Sequence, residues 1–172
     1  MLIFQSLELL HDRKAFDCGV SVLNEFLQKT ARQHREKGLS NTYVLVDEEN
    51  KAEIIGYFTL SFFEVSPQTQ ADIHSRKLPK SDRLPAAKLA RLAVSKNFKG
   101  KGYGALLLAE AIRRVVLASA QSGAITGFFV DAKDENARSF YHAFGFIPLN
   151  DSPMQLFLPL KTLLQFDGVA LK

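Results

Sequence analysis

Apolar residues recur every three or four positions in VSVLNEFLQKTARQHREKG (20–38), a period typical of an amphipathic helix. Polar and charged side chains fill the positions between them. The glycine that ends the stretch, Gly38, is a common helix stop. We therefore expect a helix over 20–38 that buries one face. The residues predicted on that face are Val22, Leu23, Phe26, Leu27 and Ala31.

The segments on either side of this helix have the pattern of strands. Residues 2–8 form a short apolar run, and NTYVLVD (41–47) and EIIGYFTLSFFEV (53–65) are rich in β-branched and aromatic side chains. The polar turn DEENKA separates the last two segments, so they predict a β-hairpin. The first part of the chain is thus expected to be largely antiparallel.

The second half of the chain alternates between strand-like and helix-like segments. A helix is expected to run to about Gly123, and DENARSFYHAFGF (134–146) predicts a short helix that Asp134 caps and Gly145 closes. This order predicts a mixed α/β sheet, with antiparallel N-terminal strands followed by β-α-β-α-β and one central crossover. Three apolar segments predict the later strands: KLARLAV (88–94), ITGFFVDA (125–132) and MQLFLPL (154–160).

Length and composition predict one domain over 1–172. Of the 172 residues, 47% are hydrophobic and 23% are charged, which is typical of a globular protein. With one cysteine, Cys18, and four scattered histidines, we expect neither a disulfide framework nor a metal site. No apolar run approaches the ~20 residues of a membrane span, and the N-terminus lacks a signal-peptide pattern. We therefore expect a cytoplasmic protein without a membrane partner.

The net charge of +4 is unevenly distributed. Four basic residues accompany one acid between Lys29 and Lys37, and six accompany one between Arg76 and Arg91, so these windows carry +3 and +5. Such an asymmetry indicates an anionic partner at a defined part of the surface. The segment 66–86 is polar, basic and interrupted by prolines, and its length predicts a functional role or a short helix inside it.

Three alternate glycines, Gly100, Gly102 and Gly104, stand between the strand at 88–94 and the helix that follows. Lys99 and Lys101 accompany them. Free backbone N–H groups at a helix N-terminus, together with the helix dipole, bind anions such as phosphate. The spacing matches neither a Walker loop nor a dinucleotide-binding loop. A tight strand-to-helix turn is the alternative, although such a turn needs only one glycine.

At these residues the sequence resembles the GCN5-related N-acetyltransferases, the GNAT family. The acetyl-CoA loop of that family has the pattern Gln/Arg-x-x-Gly-x-Gly/Ala, and Lys99, Gly102 and Gly104 take its defined positions, with lysine in the first. RLAV (91–94) and NARSFYHAFGF (136–146) also resemble GNAT elements. The resemblance implies acetyl-CoA as co-substrate, with pantetheine paired to the strand backbone and pyrophosphate held by the loop. The implied cofactor-binding residues are Leu92, Ala93, Val94, Lys99, Gly100, Lys101, Gly102, Tyr103, Gly104 and Asn136.

Further segments resemble the toxin branch of the GNAT family and span nearly the whole chain. They are FDCGVSVLNEFL, NTYVLV, LARLAV, DAKDENARSFYHAFGF and LFLPL. The resemblance implies acetylation of the α-amino group of aminoacyl-tRNA, a resulting block of translation, a ribbon-helix-helix antitoxin as partner, and a homodimer. It leaves the preferred aminoacyl-tRNA open. A GNAT acting on small-molecule or peptide amines, and a non-catalytic GNAT-like binding module, are the alternatives.

Acetyl transfer from a thioester to an amine needs a neutral amine, a stabilised oxyanion and a proton for the departing thiolate. The GNAT resemblance implies that Tyr141, within SFYHAFGF, is the general acid; a core tyrosine is the alternative. We expect Phe140 and Phe144 to pack inward while Tyr141 points to another face. A backbone N–H of the 92–94 strand, preferably that of Val94, is the predicted oxyanion donor.

No acidic residue lies in KLARLAV, where many GNATs have a glutamate base. A lysine amine (pKa ~10.4) is almost wholly protonated at neutral pH, whereas an α-amine (~7.7–8.0) is partly neutral. The absence of a strong base therefore favours an α-amine substrate. Glu64 is a candidate for relaying a proton through water, although a solvated strand-end glutamate is the simpler interpretation.

The two basic windows provide a surface for an RNA backbone, which proteins bind mainly through phosphate contacts. A solvated face is the alternative, and Lys37 and Lys88 lie in the same windows. Arg91 differs because it lies inside an apolar strand, where it either reaches an acceptor pocket or pairs with a carboxylate. The predicted tRNA-binding residues are Lys29, Arg32, Arg35, Arg76, Lys77, Lys80, Arg83 and Arg91.

Overall fold

The computed structural model describes residues 1–65, 84–122, 125–149, 151–159 and 161–165. Seven strands form one sheet in the order β1-β2-β3-β4-β5-β7-β6. The strands are β1 Leu2–Ser6, β2 Asn41–Asp47, β3 Gly56–Val65, β4 Leu84–Val94, β5 Gly127–Asp131, β6 Ile147–Leu149 and β7 Ser152–Pro159. The helices are α1 Ser21–Glu25, α2 Ala31–Glu36, α3 Tyr103–Ser122 and α4 Glu135–Ala143. A π-helical turn at Phe26–Thr30 joins α1 to α2, and residues 161–165 form a further helical turn.

The predicted antiparallel first half and central crossover are confirmed. β1 pairs antiparallel with β2, and β2 with β3. Thr42 faces Thr59 across the hairpin, and their hydroxyl groups share a 2.8 Å hydrogen bond. β4 pairs in parallel with β5 through the α3 crossover, and β7 returns antiparallel to β5. The chain therefore has the mixed α/β sheet that its pattern predicts.

The chain contains two compact units, Met1–Ser61 with Ala90–Ala111, and Phe62–Leu89 with Ile112–Lys172. In the first unit, side chains of β2 and β3 pack against those of the N-terminal helices, and the buried cluster includes Phe16, Cys18, Phe26, Leu27, Val44, Val46, Tyr57 and Ala93. In the second unit, the buried cluster comprises Val65, Leu84, Ala86, Phe129 and Phe157. Each unit thus has an apolar core of its own.

The first helical region is interrupted, which its sequence period does not predict. Residues Phe26–Thr30 form a π-turn, and an extra residue in a turn changes the angle between the faces before and after it. Four of the five residues predicted on the apolar face are buried or half-buried, but Val22 is 69% exposed, so its assignment was wrong. The buried face formed by the residues after the π-turn therefore does not continue in register to Val22, which precedes it. Gly38 follows the region with φ +70°, as predicted for a helix stop.

Several strand boundaries differ from the prediction. β1 ends at Ser6, two residues early, and β4 begins at Leu84, so residues expected in the long loop belong to the sheet. Lys88 is accordingly a half-buried strand residue, with its Nζ atom 2.7 Å from Asp131 Oδ2 of β5. β6 has only three residues, too few for a pattern to predict it.

The helix termini follow their predicted signals. Asp134 caps α4, since its Oδ1 atom accepts a hydrogen bond from the Ala137 N–H at 2.8 Å. Gly145 closes the same helix with φ +95°, a conformation that glycine adopts without strain. Within the described ranges, no helix has both the length and the apolar composition to cross a membrane.

Candidate functional site

The glycine loop joins β4 to α3 through a 3₁₀ turn at Lys96–Phe98. Gly100 and Gly102 have φ angles of +78° and +81°, which other L-residues rarely adopt. An ideal Cβ atom at either glycine would meet no heavy atom within 4 Å. The backbone conformation therefore requires these glycines, and both face open space from which a ligand can approach.

The loop ends at the N-terminus of a long helix. The Gly102 carbonyl accepts from the Leu106 N–H at 3.2 Å, so Gly102 is the last residue before the helical turn. The N–H groups of a first helical turn have no acceptor inside the helix, and here they follow the open glycine backbone. Gly104 lies within that turn. This combination is suited to a phosphate or pyrophosphate group.

The two lysines of the loop differ in what they contact. The Lys99 ammonium donates to the Cys18 carbonyl at 2.7 Å. The Lys101 ammonium lies 5.5 Å from the centroid of the Phe98 ring, and Phe98 in turn contacts Tyr103 across the loop at 6.2 Å between ring centroids. Both lysines are exposed, but the Lys99 ammonium is directed to the protein backbone, whereas the Lys101 ammonium lies beside the Phe98 ring.

The strand before the loop extends beyond its described pairs with β5. Those pairs end at Leu89↔Val130, whereas β4 continues to Val94. Among the last three residues of β4, Leu92 and Val94 are half-buried and Ala93 is buried. Peptide groups at such a strand edge can pair with an extended ligand. The pantetheine-pairing role predicted for Leu92, Ala93 and Val94 fits this edge.

Tyr141 lies in the last turns of α4 and is buried, with 8% of its surface exposed. Its ring packs against Phe140 and Phe146, with 5.2 and 5.6 Å between ring centroids. Phe140 and Phe144 are only half-buried, so the predicted orientation of the helix was wrong: the tyrosine is the more buried ring. Phe146, which is fully buried beyond Gly145, explains why this face of α4 turns inward.

Burial also changes the acidity of this tyrosine. It raises the pKa of Tyr141 to about 12, because the protein interior disfavours a phenolate. The hydroxyl group is therefore protonated at every physiological pH.

Two other predicted site residues are exposed. Asn136 lies in the first turn of the same helix, and Glu64 lies near the end of β3.

Arg91 stacks on an aromatic ring. Its Cζ atom lies 3.7 Å from the centroid of the Phe26 ring, within range of a cation–π interaction. Phe26 begins the π-turn and also stacks against Tyr57, whose hydroxyl donates to the Leu23 carbonyl at 2.7 Å. The sequence left two alternatives for Arg91, an acceptor pocket or a carboxylate partner. Within the described residues, the partner of Arg91 is the Phe26 ring and not a carboxylate.

The first basic window lies on α2 and the π-turn before it. Lys29 and Arg35 are exposed, and the Arg35 guanidinium donates to the Leu7 carbonyl at 3.0 Å. Arg32 is half-buried and lies 4.0 Å from Glu36. The second window falls largely outside the described residues: Arg76, Lys77, Lys80 and Arg83. No group of three or more His, Cys, Asp or Glu side chains that could hold a metal ion occurs within the described ranges.

The model of the Acetyltransferase (GNAT) family matches residues 8–146. This match includes β4, the glycine loop, α3, β5 and α4, and therefore the elements that carry the loop, Arg91, Asn136 and Tyr141. The chain belongs to the GNAT family. Its seven-stranded mixed sheet is the GNAT fold, and the acetyltransferase chemistry of the family applies to it.

Two toxins resemble this chain over 87% or more of its length. The tRNA-acetylating toxin of Mycobacterium tuberculosis is 31% identical over 150 residues, which cover 87% of each protein. A structure of AtaT complexed with acetyl-methionyl-tRNAfMet has a TM-score of 0.84 and 33% identity, and covers 97% of this chain and 99% of that one. A mutant AtaT toxin bound to the C-terminus of the antitoxin AtaR and acetyl-CoA has a TM-score of 0.77, also at 33% identity over 97% and 99% of the two chains.

Two residues next to the GNAT loop were missed by the sequence analysis. Asp17 and Lys96 form an ion pair at 2.9 Å between the Lys96 Nζ and Asp17 Oδ2 atoms. Neither residue belongs to the family's loop pattern, and no periodicity relates positions so far apart in the chain. The only available signal was their location, because Asp17 lies within FDCGVSVLNEFL and Lys96 lies just before the loop.

Proposed function

We propose that this protein is an acetyl-CoA-dependent N-acetyltransferase toxin that acetylates the α-amino group of aminoacyl-tRNA and thereby blocks translation. The observation that carries this proposal is the match along 97% of the chain to AtaT in complex with acetyl-methionyl-tRNAfMet. The intact glycine loop and the buried tyrosine support an active enzyme rather than a binding module. On this proposal, residues 1–172 act as one catalytic domain in the cytoplasm.

The acyl donor is acetyl-CoA, and its pyrophosphate binds to the loop Lys99–Gly104. Positive φ angles at Gly100 and Gly102 keep the loop backbone open, and the first turn of α3 adds N–H groups and the positive end of the helix dipole. Lys101, which is exposed, adds a positive charge. The pantetheine arm pairs with the backbone of Leu92–Val94, and Asn136 approaches the cofactor from α4.

The chemical step forms a carbon–nitrogen bond and breaks a carbon–sulfur bond, while nitrogen loses one proton and sulfur gains one. The neutral α-amine nitrogen attacks the thioester carbonyl carbon, and a backbone N–H of the Leu92–Val94 strand, preferably that of Val94, stabilises the oxyanion. When the intermediate collapses, the carbon–sulfur bond breaks and the sulfur takes a proton from the Tyr141 hydroxyl, which is then reprotonated from solvent. The amine loses its own proton to water, and Glu64 is the candidate relay.

The raised pKa of Tyr141, about 12, affects how the proton moves. A thiol has a pKa of ~8.5 in water, so complete transfer from this phenol to a fully solvated thiolate would be unfavourable. The departing sulfur, however, is desolvated in the same surroundings, and desolvation raises its proton affinity as well. Tyr141 therefore stays neutral until charge develops on sulfur, and its proton is transferred as the carbon–sulfur bond breaks.

The acceptor is bound by the basic surface. Lys29, Arg32, Arg35 and the residues of the second window contact the tRNA backbone, and Arg91 is proposed to contribute at the acceptor end from its place on Phe26. Arginine that already stacks on a ring is held in one orientation, and its N–H groups at the edge can still donate. A ribbon-helix-helix antitoxin is the proposed neutralising partner, and the active enzyme is proposed to be a homodimer.

Cell-free translation tests this function. Purified protein should stop protein synthesis when acetyl-CoA is present and leave it unaffected when acetyl-CoA is omitted, because the toxic event is a transfer reaction. The Tyr141→Phe variant should leave synthesis close to that of the untreated reaction. Undiminished synthesis with wild-type protein and acetyl-CoA, from a preparation that binds acetyl-CoA, would contradict the proposal and favour a small-molecule or peptide amine as acceptor.

A further inference from the structure

A hydrogen-bonded network connects the turn before α1 to the residues that lead into the glycine loop. The Lys96 N–H donates to the Asp17 carbonyl at 2.9 Å, while its ammonium pairs with Asp17 Oδ2 at 2.9 Å. The Lys99 ammonium donates to the Cys18 carbonyl at 2.7 Å. Three contacts thus join two short segments that lie about 80 positions apart in the chain.

The turn itself is fixed by side chains. Asp17 Oδ1 accepts from the Gly19 N–H at 2.8 Å and from the Asn24 amide at 2.9 Å, and Asn24 Oδ1 accepts from the Cys18 N–H at 2.9 Å. The Cys18–Gly19 turn therefore has little freedom, and Gly19 adopts φ +85° within it. As a result, the Cys18 carbonyl is held in one direction, towards Lys99.

The charges of this network are permanent under physiological conditions. The hydrogen bond from Lys96, with those from Gly19 and Asn24, holds the pKa of Asp17 well below its usual range. The hydrogen bond to the Asp17 carboxylate, in turn, raises the pKa of Lys96. The carboxylate therefore stays ionised wherever the enzyme works, and the network does not switch off with ordinary changes of pH.

We infer that Asp17 and Asn24 are positioning residues for the glycine loop, acting through Lys96 and Lys99. Lys99 serves on this view as a tether: its ammonium ties the first residue of the loop to the fixed Cys18 carbonyl. The backbone N–H groups and Lys101 then receive the pyrophosphate. The inference rests on the proposed function, since the ligand of the loop is the pyrophosphate of acetyl-CoA.

A comparison of two acetyl donors tests this inference. S-acetylpantetheine carries the thioester and the pantetheine arm but no pyrophosphate. Asp17→Ala should raise KM for acetyl-CoA about tenfold, the scale of one partly exposed charge-assisted hydrogen bond, with kcat almost unchanged. Its kcat/KM with S-acetylpantetheine should equal that of the wild type. Damage to the whole fold would instead affect both donors.

Asp47→Ala is a matched control. Asp47 is as exposed as Asp17 (46% against 44%), accepts a backbone N–H two residues further on, and pairs with a cation, the N-terminal amine. It lies at the end of β2, outside the network. This variant should keep the wild-type KM for acetyl-CoA. An equal rise of KM in both aspartate variants would overturn the inference.

Lys99→Met tests the tether. It should raise KM for acetyl-CoA as Asp17→Ala does. The double variant should be no worse than the worse single variant, because both changes act on the same contact between Lys99 and the Cys18 carbonyl. If the two effects multiply, Lys99 binds phosphate independently and the tether is refuted. If Asp17→Ala does not fold, Lys96→Met removes the same ion pair, and an unchanged KM there refutes the role of Asp17.

Calorimetry separates this inference from the proposed function. Acetyl-CoA binding can be measured without any acceptor, so an enzyme that fails to acetylate aminoacyl-tRNA still reports on the loop. A wild type that binds acetyl-CoA but transfers nothing to tRNA would contradict the proposed function alone. Unchanged acetyl-CoA affinity in both Asp17→Ala and Lys99→Met would contradict the positioning inference alone.

Discussion

Replacing Gly102 by aspartate should strongly weaken acetyl-CoA binding, and the structure separates the cost in stability from the cost in binding. Gly102 has φ +81°, and an L-residue in that conformation loses roughly 1–2 kcal/mol of stability. No heavy atom lies within 4 Å of the added Cβ, so no clash adds to this cost. We expect a folded variant with a modestly lower melting temperature.

The cost in binding is electrostatic. A carboxylate ~4 Å from one phosphate charge repels it by about 1 kcal/mol in water and about 4 kcal/mol at an effective dielectric constant of 20. With two phosphate charges on an exposed loop, near the water limit, the loss of binding free energy is about 2–4 kcal/mol. This loss corresponds to an affinity about 30- to 700-fold weaker.

Gly38→Asp is the matched control for Gly102→Asp. Gly38 has φ +70° and also has open space around its Cβ position, so the backbone cost is shared, but Gly38 lies after α2, away from the loop sequence. Calorimetry with acetyl-CoA should give wild-type affinity for Gly38→Asp and an affinity about 30- to 700-fold weaker for Gly102→Asp. A folded Gly102→Asp protein with wild-type affinity would remove the loop from the cofactor site.

Three further predictions concern catalysis and the acceptor. Tyr141→Phe should keep the fold and acetyl-CoA binding while kcat for acetylation falls by ~10²–10⁴, the usual contribution of a general acid; a wild-type kcat would assign Tyr141 to packing. The rate should rise with pH as the α-amine loses its proton, at a pH below the 7.7–8.0 of a chain N-terminal amine, because the adjacent ester lowers the pKa of this amine. The rate should not fall again before pH 9.5, because the acid must be protonated and the pKa of Tyr141 is about 12; a decline centred below pH 9.5 would exclude Tyr141 as the donor. Joint replacement of Arg76, Lys77 and Lys80 by alanine should weaken tRNA acetylation and its salt dependence while acetyl-CoA affinity stays the same; unchanged tRNA kinetics would separate this segment from the acceptor.

The mixed sheet and most of the order of elements along the chain could be predicted from sequence, because most elements have a clear period. β-Branched and aromatic runs mark β2 and β3, and Asp134 and Gly145 mark the ends of the helix that carries Tyr141. The π-turn at Phe26–Thr30 could not be predicted, since an extra residue in a turn leaves the local composition unchanged. β6 is too short to have a pattern.

Candidate site residues could be identified from sequence where they lie in one continuous segment. The glycine loop is such a segment, and its positive φ angles at Gly100 and Gly102 agree with the anion-binding interpretation. The Asp17–Lys96 and Cys18–Lys99 contacts were not predictable, because they join segments that only the fold brings together. The orientation of Tyr141 was misjudged for a similar reason, since its burial depends on Phe146, which lies beyond the helix.

The identity of the acetylated atom is the most direct test of the proposed function. Wild-type protein would be incubated with acetyl-CoA and a mixture of aminoacyl-tRNAs, the tRNA digested to nucleosides, and the aminoacyl-adenosines identified by mass spectrometry. The account predicts aminoacyl-adenosine heavier by one acetyl group, with fragments that place the group on the α-nitrogen, and none of this product with Tyr141→Phe. Unmodified aminoacyl-adenosine from an enzyme that binds acetyl-CoA, or an acetyl group on a side-chain amine, would contradict it.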